Sequence, residues 1–94
     1  MTVDASLEQA AKQLQDAIQA DWRQDVPFGG WLASEGERVK DNAQMLVEAT
    51  QSGTLLKLLA GAAIREYLGL AWLEVHSKSY EQARLFETLA EQAT

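Results

Sequence analysis

Few side chains in this sequence could do chemistry. The chain has one histidine, His76, and no cysteine, which rules out a histidine-rich metal site, a thiolate metal site and a disulfide framework. Glu74 and His76 stand two apart, and residues at that spacing point in different directions on a helix, so they make poor joint metal ligands. A histidine near the end of a helix ordinarily interacts with the helix dipole. No Ser-His-Asp set has a supporting context, and Gly29-Gly30 reads as a turn because no phosphate-binding loop follows a strand. The one carboxylate that stands out is Glu66. At about 100° per residue it falls between Leu59, Leu70 and Leu73, where an unpaired charge is costly. It could be a buried catalytic acid. The expectation adopted is the other reading, that it reaches the edge of the core or pairs with an arginine from another helix or subunit.

Those residues belong to the stretch that must position them, Thr54 to His76, reading TLLKLLAGAAIREYLGLAWLEVH. Read as one helix, it is apolar nearly all round, and such a helix is either central in its own domain or shared with another chain. Lys57, Arg65, Glu66 and Glu74 divide it, so no uncharged run approaches the roughly 18–20 residues that a bilayer crossing needs. Gly61, Arg65 and Gly69 recur every four residues beside Trp72. Glycine inside a helix costs about 1 kcal/mol, and two readings account for that cost. Either another helix of the same chain approaches closely there, or a groove walled by Leu58, Leu68 and Trp72 receives a partner helix or a second copy.

The flanking elements follow from periodicity. Leu7, Ala11, Leu14, Ile18 and Trp22 recur at steps of three and four and predict a helix over about 4–24, with Asp4 or Ser6 as its cap. Val26-Pro27-Phe28-Gly29-Gly30 ends it. Phe28 and Trp31 then either fold back to plug the end of the bundle, which is the expectation, or stand out as an anchor for a partner. Val39, Ala43, Leu46, Val47 and Thr50 mark a second helix over about 32–51, with Ser34 and Glu37 at capping-box spacing. Ser52-Gly53 supplies the stop, and Thr54 is placed to cap the central helix, 54–76. Tyr80, Ala83, Phe86, Leu89, Ala90 and Ala93 continue the pattern over about 79–93 behind a Ser79/Gln82 capping box. One unbroken helix from Thr54 to Ala93 is the alternative. No stretch alternates as a strand would.

Tyr80-x-x-Ala83, with Ala90 seven further on, resembles the second helix of a tetratricopeptide repeat over the last third of the chain. It departs from that pattern at Glu87, where a large aromatic is expected, and the preceding turn lacks the usual glycine, so no peptide-binding residue is carried over. The Trp-x-Gly turn of a secreted family of small helical proteins is absent, because Leu32-Ala33 follows Trp31.

Together these features predict a single all-α domain over 1–94, a small antiparallel bundle of three to four helices around a nearly all-round apolar one. Eight Lys and Arg against fourteen Asp and Glu leave a net charge of −6, which disfavours direct nucleic-acid binding. The start of the chain shows no basic segment followed by an apolar core, so a cytoplasmic location is expected. The function expected is a non-enzymatic protein-interaction module without cofactor or metal, an adaptor, chaperone-like module or small subunit that self-associates through the central helix. Leu58, Arg65, Leu68 and Trp72 are its candidate contacts, with Phe28 and Trp31 as a second patch. The alternative is an acidic inhibitor, of antitoxin, immunity or anti-defence type, that blocks a basic site on its target. A carrier or enzyme with a pocket among Glu66, Tyr67, Trp72 and His76 is the third reading.

Overall fold

The computed structural model describes residues 5–93, and the possible cap Asp4 lies outside them. Every regular element among the described residues is helical: α1 (Ala5–Asp25), a 3₁₀ turn (Val26–Phe28), α2 (Gly30–Ser52), α3 (Leu55–Leu59), α4 (Ile64–Leu68), α5 (Leu70–Glu74) and α6 (Ser77–Ala93). The all-α expectation holds. The bundle of three or four helices does not, because the predicted central helix is divided into three short ones.

The break has a local cause at each point. Gly53 caps α2 in the left-handed region (φ 74°), the stop that Ser52-Gly53 signalled. Ala60 then turns left-handed at the end of α3 (φ 51°), Gly61 follows at φ 89°, and the chain runs extended through Ala63 before α4 begins. At Gly69 the backbone reaches φ 135°, which side-chain-bearing residues rarely adopt, and α4 gives way to α5. Gly69 is also where α2 approaches closely: an added Cβ would lie 2.7 Å from Val39 Cγ2. The glycines that look costly inside one helix are the ends of several. The unbroken 54–93 helix is likewise excluded, since residues 75 and 76 leave helical geometry before α6 starts at Ser77.

Three long helices make the frame. Glu8 near the start of α1 accepts a hydrogen bond from Gln51 near the end of α2, and Asp21 near the end of α1 accepts one from Ser79 near the start of α6. Both long neighbours of α1 therefore run antiparallel to it. The α3–α5 segment returns along α2 on the other side, where Asn42 donates to the carbonyls of Tyr67 and Leu68 and α4 and α5 reach α6. The assembly is elongated, 45 × 22 × 19 Å, as a 23-residue helix of about 34 Å requires.

The core collects Leu14 and Ile18 from α1, Val39 and Leu46 from α2, Leu68, Trp72 and Leu73 from α4 and α5, and Phe86 from α6, all with no exposed surface. Gly36, buried within α2, is the floor of this packing. A Cβ there would meet the Trp22 and Trp72 rings at 2.9 Å, so the bare backbone admits both indoles. The predicted capping boxes do not form. Helix α2 begins at Gly30, and Ser34 donates to the Trp31 carbonyl. Ser79 lies inside α6 and donates to Asp21 at 2.6 Å, and Thr54 precedes α3 without a side-chain cap while sharing a hydrogen bond with Ser52.

Candidate functional site

The candidate contacts separate into an inner and an outer group. Leu68 and Trp72 are fully buried in the chain's own core, so they do not wall an external groove. Leu58 is half-buried against the same core. Arg65 is engaged within the fold: its guanidinium donates to Glu87 at 3.0 Å and to Tyr80 Oη at 2.6 Å, tying α4 to α6. The Glu87 carboxylate raises the Arg65 pKa further above its ordinary value. The acid that partners this arginine is Glu87, not Glu66, which is exposed to solvent. Within α4 it is Ile64 and Leu68 that face the core, and Glu66 stands about 160° around the helix from both, on the solvent side; the breaks at Ala60 and Gly69 separate it from Leu59, Leu70 and Leu73. The pocket supposed among Glu66, Tyr67, Trp72 and His76 does not form, as Trp72 is interior while Glu66 faces water. Burial does push the Tyr67 hydroxyl above its ordinary pKa.

The outer group is the turn between α1 and α2. Phe28 is 88% exposed and Trp31 52%, with Val26 and Leu32 partly exposed beside them. The expectation that both rings fold back onto the bundle is corrected: Phe28 stands almost wholly in solvent and Trp31 is about half covered, on a turn whose Gly29 and Gly30 both adopt positive φ.

This turn is clamped at both ends. Just before it, the Asp25 carboxyl group lies 2.7 Å from His76 Nε2. On the other side of the ring, His76 Nδ1 is 2.8 Å from the Trp72 carbonyl, which can only accept, so Nδ1 donates there. The imidazole stacks on the Trp72 indole with centroids 3.9 Å apart. Just after the turn, Trp72 Nε1 donates to the Leu32 carbonyl at 3.0 Å. Asp25, His76, Trp72 and Leu32 thus form one chain of contacts that pins the exposed loop to the core. Pairings across 51 and 40 positions leave no signal in spacing, which is why the sequence reading missed them. Both ring nitrogens of the sole histidine are occupied, so neither is free to activate a nucleophile.

Comparison with known proteins returns no matching family model, no matching curated protein and no matching solved structure. The site therefore rests on its own geometry. A broad groove of about 920 Å³ runs between α1 and the α5–α6 junction, lined by Asp16, Asp21, Gln24, His76, Lys78 and Gln82. Asp21 and His76 there are already hydrogen-bonded within the fold. Among the described residues no three acidic or histidine side chains gather as a metal site, and no helix is long and apolar enough to cross a membrane.

Proposed function

We propose that this chain is a non-enzymatic protein-interaction module whose docking element is the α1–α2 turn, with Phe28 and Trp31 as its anchors. The observation that carries the reading is the 88% exposure of Phe28 on a turn whose two ends are hydrogen-bonded to the core. Aromatic side chains supply much of the energy at the centres of protein interfaces, and holding them in place beforehand reduces the entropy lost on docking. Of the four central candidates Leu68 and Trp72 are buried, Arg65 is engaged with Glu87 and Tyr80 and Leu58 is half-buried, so we assign the docking role to the second patch, Phe28 and Trp31.

The test is site-specific photocrosslinking in cells that express the protein. A photoreactive phenylalanine at position 28 is expected to give one discrete adduct that Trp31→Ser abolishes, and the same group at Leu85, 44% exposed on α6, is expected to give none. Equal adducts from both positions would contradict the assignment.

The second reading, an acidic inhibitor that blocks a basic site, draws support from the exposed acids Glu37, Asp41 and Glu48 on α2. Strong salt dependence of target binding distinguishes it from docking through aromatic anchors alone.

A further inference from the structure

The exposed side of α2 continues the aromatic turn into a two-tone surface. At about 100° per residue, Trp31, Ser34, Arg38 and Met45 fall within about 60° of one another, and Glu37, Asp41, Gln44 and Glu48 fill the adjoining arc of about 60°. All eight are exposed. Phe28, Trp31 (52%) and Met45 (47%) provide the apolar part, and three carboxylates line its flank. Methionine adapts to the shape of an apolar partner, and Met45 stands 14 positions from Trp31, about 21 Å along α2, with Ser34 and Arg38 between them on the same stripe.

The cations on this side of α2 are already engaged. Arg38 makes a two-pronged pair with Glu35, whose pKa that contact lowers. Lys40 sits 4.7 Å above the Trp22 ring and 3.4 Å from Asp41. Glu48 accepts a hydrogen bond from a neutral donor, Gln44. Asp41 is partly compensated by Lys40, while Glu37 and Glu48 leave the exposed side of α2 with an acidic excess, in a chain whose net charge of −6 opposes a second copy docking on the same face.

We infer that the occupant of this face is a basic amphipathic segment of another protein, its apolar residues on Phe28, Trp31 and Met45 and its lysines or arginines along Glu37, Asp41 and Glu48. The inference rests on the docking role assigned to the α1–α2 turn and adds the chemistry of the partner. Complementary charge would fix the direction in which such a segment lies and speed its encounter, while the aromatic anchors hold it.

The experiment titrates ¹⁵N-labelled full chain with a synthetic helix of leucine and lysine at amphipathic spacing, and in parallel with its leucine–glutamate counterpart and a same-composition peptide whose leucines are scattered around the helix. The expected result is saturable binding of the amphipathic basic peptide alone. Amide shifts should be confined to residues 26–34 and the exposed side of α2, with affinity falling at least tenfold between 50 and 300 mM salt. Phe28→Ser with Trp31→Ser should weaken binding at least tenfold, and so should Glu37→Gln with Asp41→Asn and Glu48→Gln, both with the spectrum of the folded protein retained. Equal binding of the acidic or scattered peptide, shifts centred elsewhere, or no binding would overturn the inference. If the aromatic variant loses the cellular crosslinked adduct while the charge variant keeps it, docking at the turn stands and the basic partner does not. Self-association that the aromatic variant abolishes would overturn it too, in favour of a second copy.

Discussion

Two stretches of this chain are rich in aromatic and branched side chains, and the fold treats them in opposite ways. From Ile64 to Leu73, Ile64, Leu68, Trp72 and Leu73 are all buried, although this is the stretch whose excess of apolar residues suggests a surface shared with another protein. From Val26 to Leu32 the chain is short and punctuated by proline and two glycines, and it leaves Phe28 and Trp31 in water. The difference lies in how each backbone turns. Breaks at Ala60 and Gly69 let three short helices each direct an apolar face inward, whereas the α1–α2 turn is held at its two ends by hydrogen bonds to His76 and Trp72, with Phe28 and Trp31 exposed between them. Apolar content alone does not reveal which stretch is a surface.

The largest expected effect sets the two tryptophans against each other. Trp72→Ala should destabilise the fold by about 3–5 kcal/mol through the cavity it leaves, while Trp31→Ala and Phe28→Ala should each stay within about 0.5 kcal/mol in urea unfolding. Comparable losses at all three positions would erase the distinction between the regions. Next, Gly69→Ala should cost about 1–3 kcal/mol from backbone strain, and more from the 2.7 Å approach to Val39, read as a lowered midpoint of thermal unfolding. An unchanged midpoint would mean that α4 and α5 do not break there.

The clamp joins the two regions, so cutting it sharpens the comparison. Asp25→Asn leaves His76 without its charged partner and should cost about 1–2 kcal/mol, with amide protection lost first in residues 26–32. Uniform loss of protection across the core would show that the clamp is not local to the turn. In the reverse direction, Ala60→Gly removes the cost of a left-handed alanine and should stabilise by about 0.5–1 kcal/mol after the added flexibility of the unfolded chain is counted. The smallest effect is electrostatic. Arg38 holds the Glu35 carboxyl below its ordinary value of 4.5, so its contribution is complete above that pH and disappears as pH falls through the lower folded value. Acid titration of Glu35→Gln should therefore lack a shallow stability loss that the parent shows below about pH 4.5, a small one because the pair is surface-exposed.

The frame of this fold was legible where one local pattern decides it. Leu14 and Ile18, Val39 and Leu46, and Ala83 and Phe86 recur at helical steps, and each pair is buried in a long helix. The middle of the chain was not legible, because nearly all of its residues favour helix. The breaks depend on contacts from elsewhere, such as Val39 against Gly69, and on one alanine in a conformation that its type disfavours. Of the candidate contacts, Phe28 and Trp31 stood out by type and by neighbouring glycines, but their outward direction depends on Asp25, His76 and Trp72, far away in sequence.

The measurement that tests the central contrast most directly is ¹⁹F NMR of the full chain labelled with 5-fluorotryptophan, with single Trp→Phe variants assigning the three resonances and a soluble paramagnetic agent reporting exposure. Strong broadening is expected at Trp31 and none at Trp72, which has no exposed surface. Broadening at Trp72 equal to that at Trp31 would mean that the 64–74 stretch is open to solvent, and would contradict the assignment of the α1–α2 turn as the docking element.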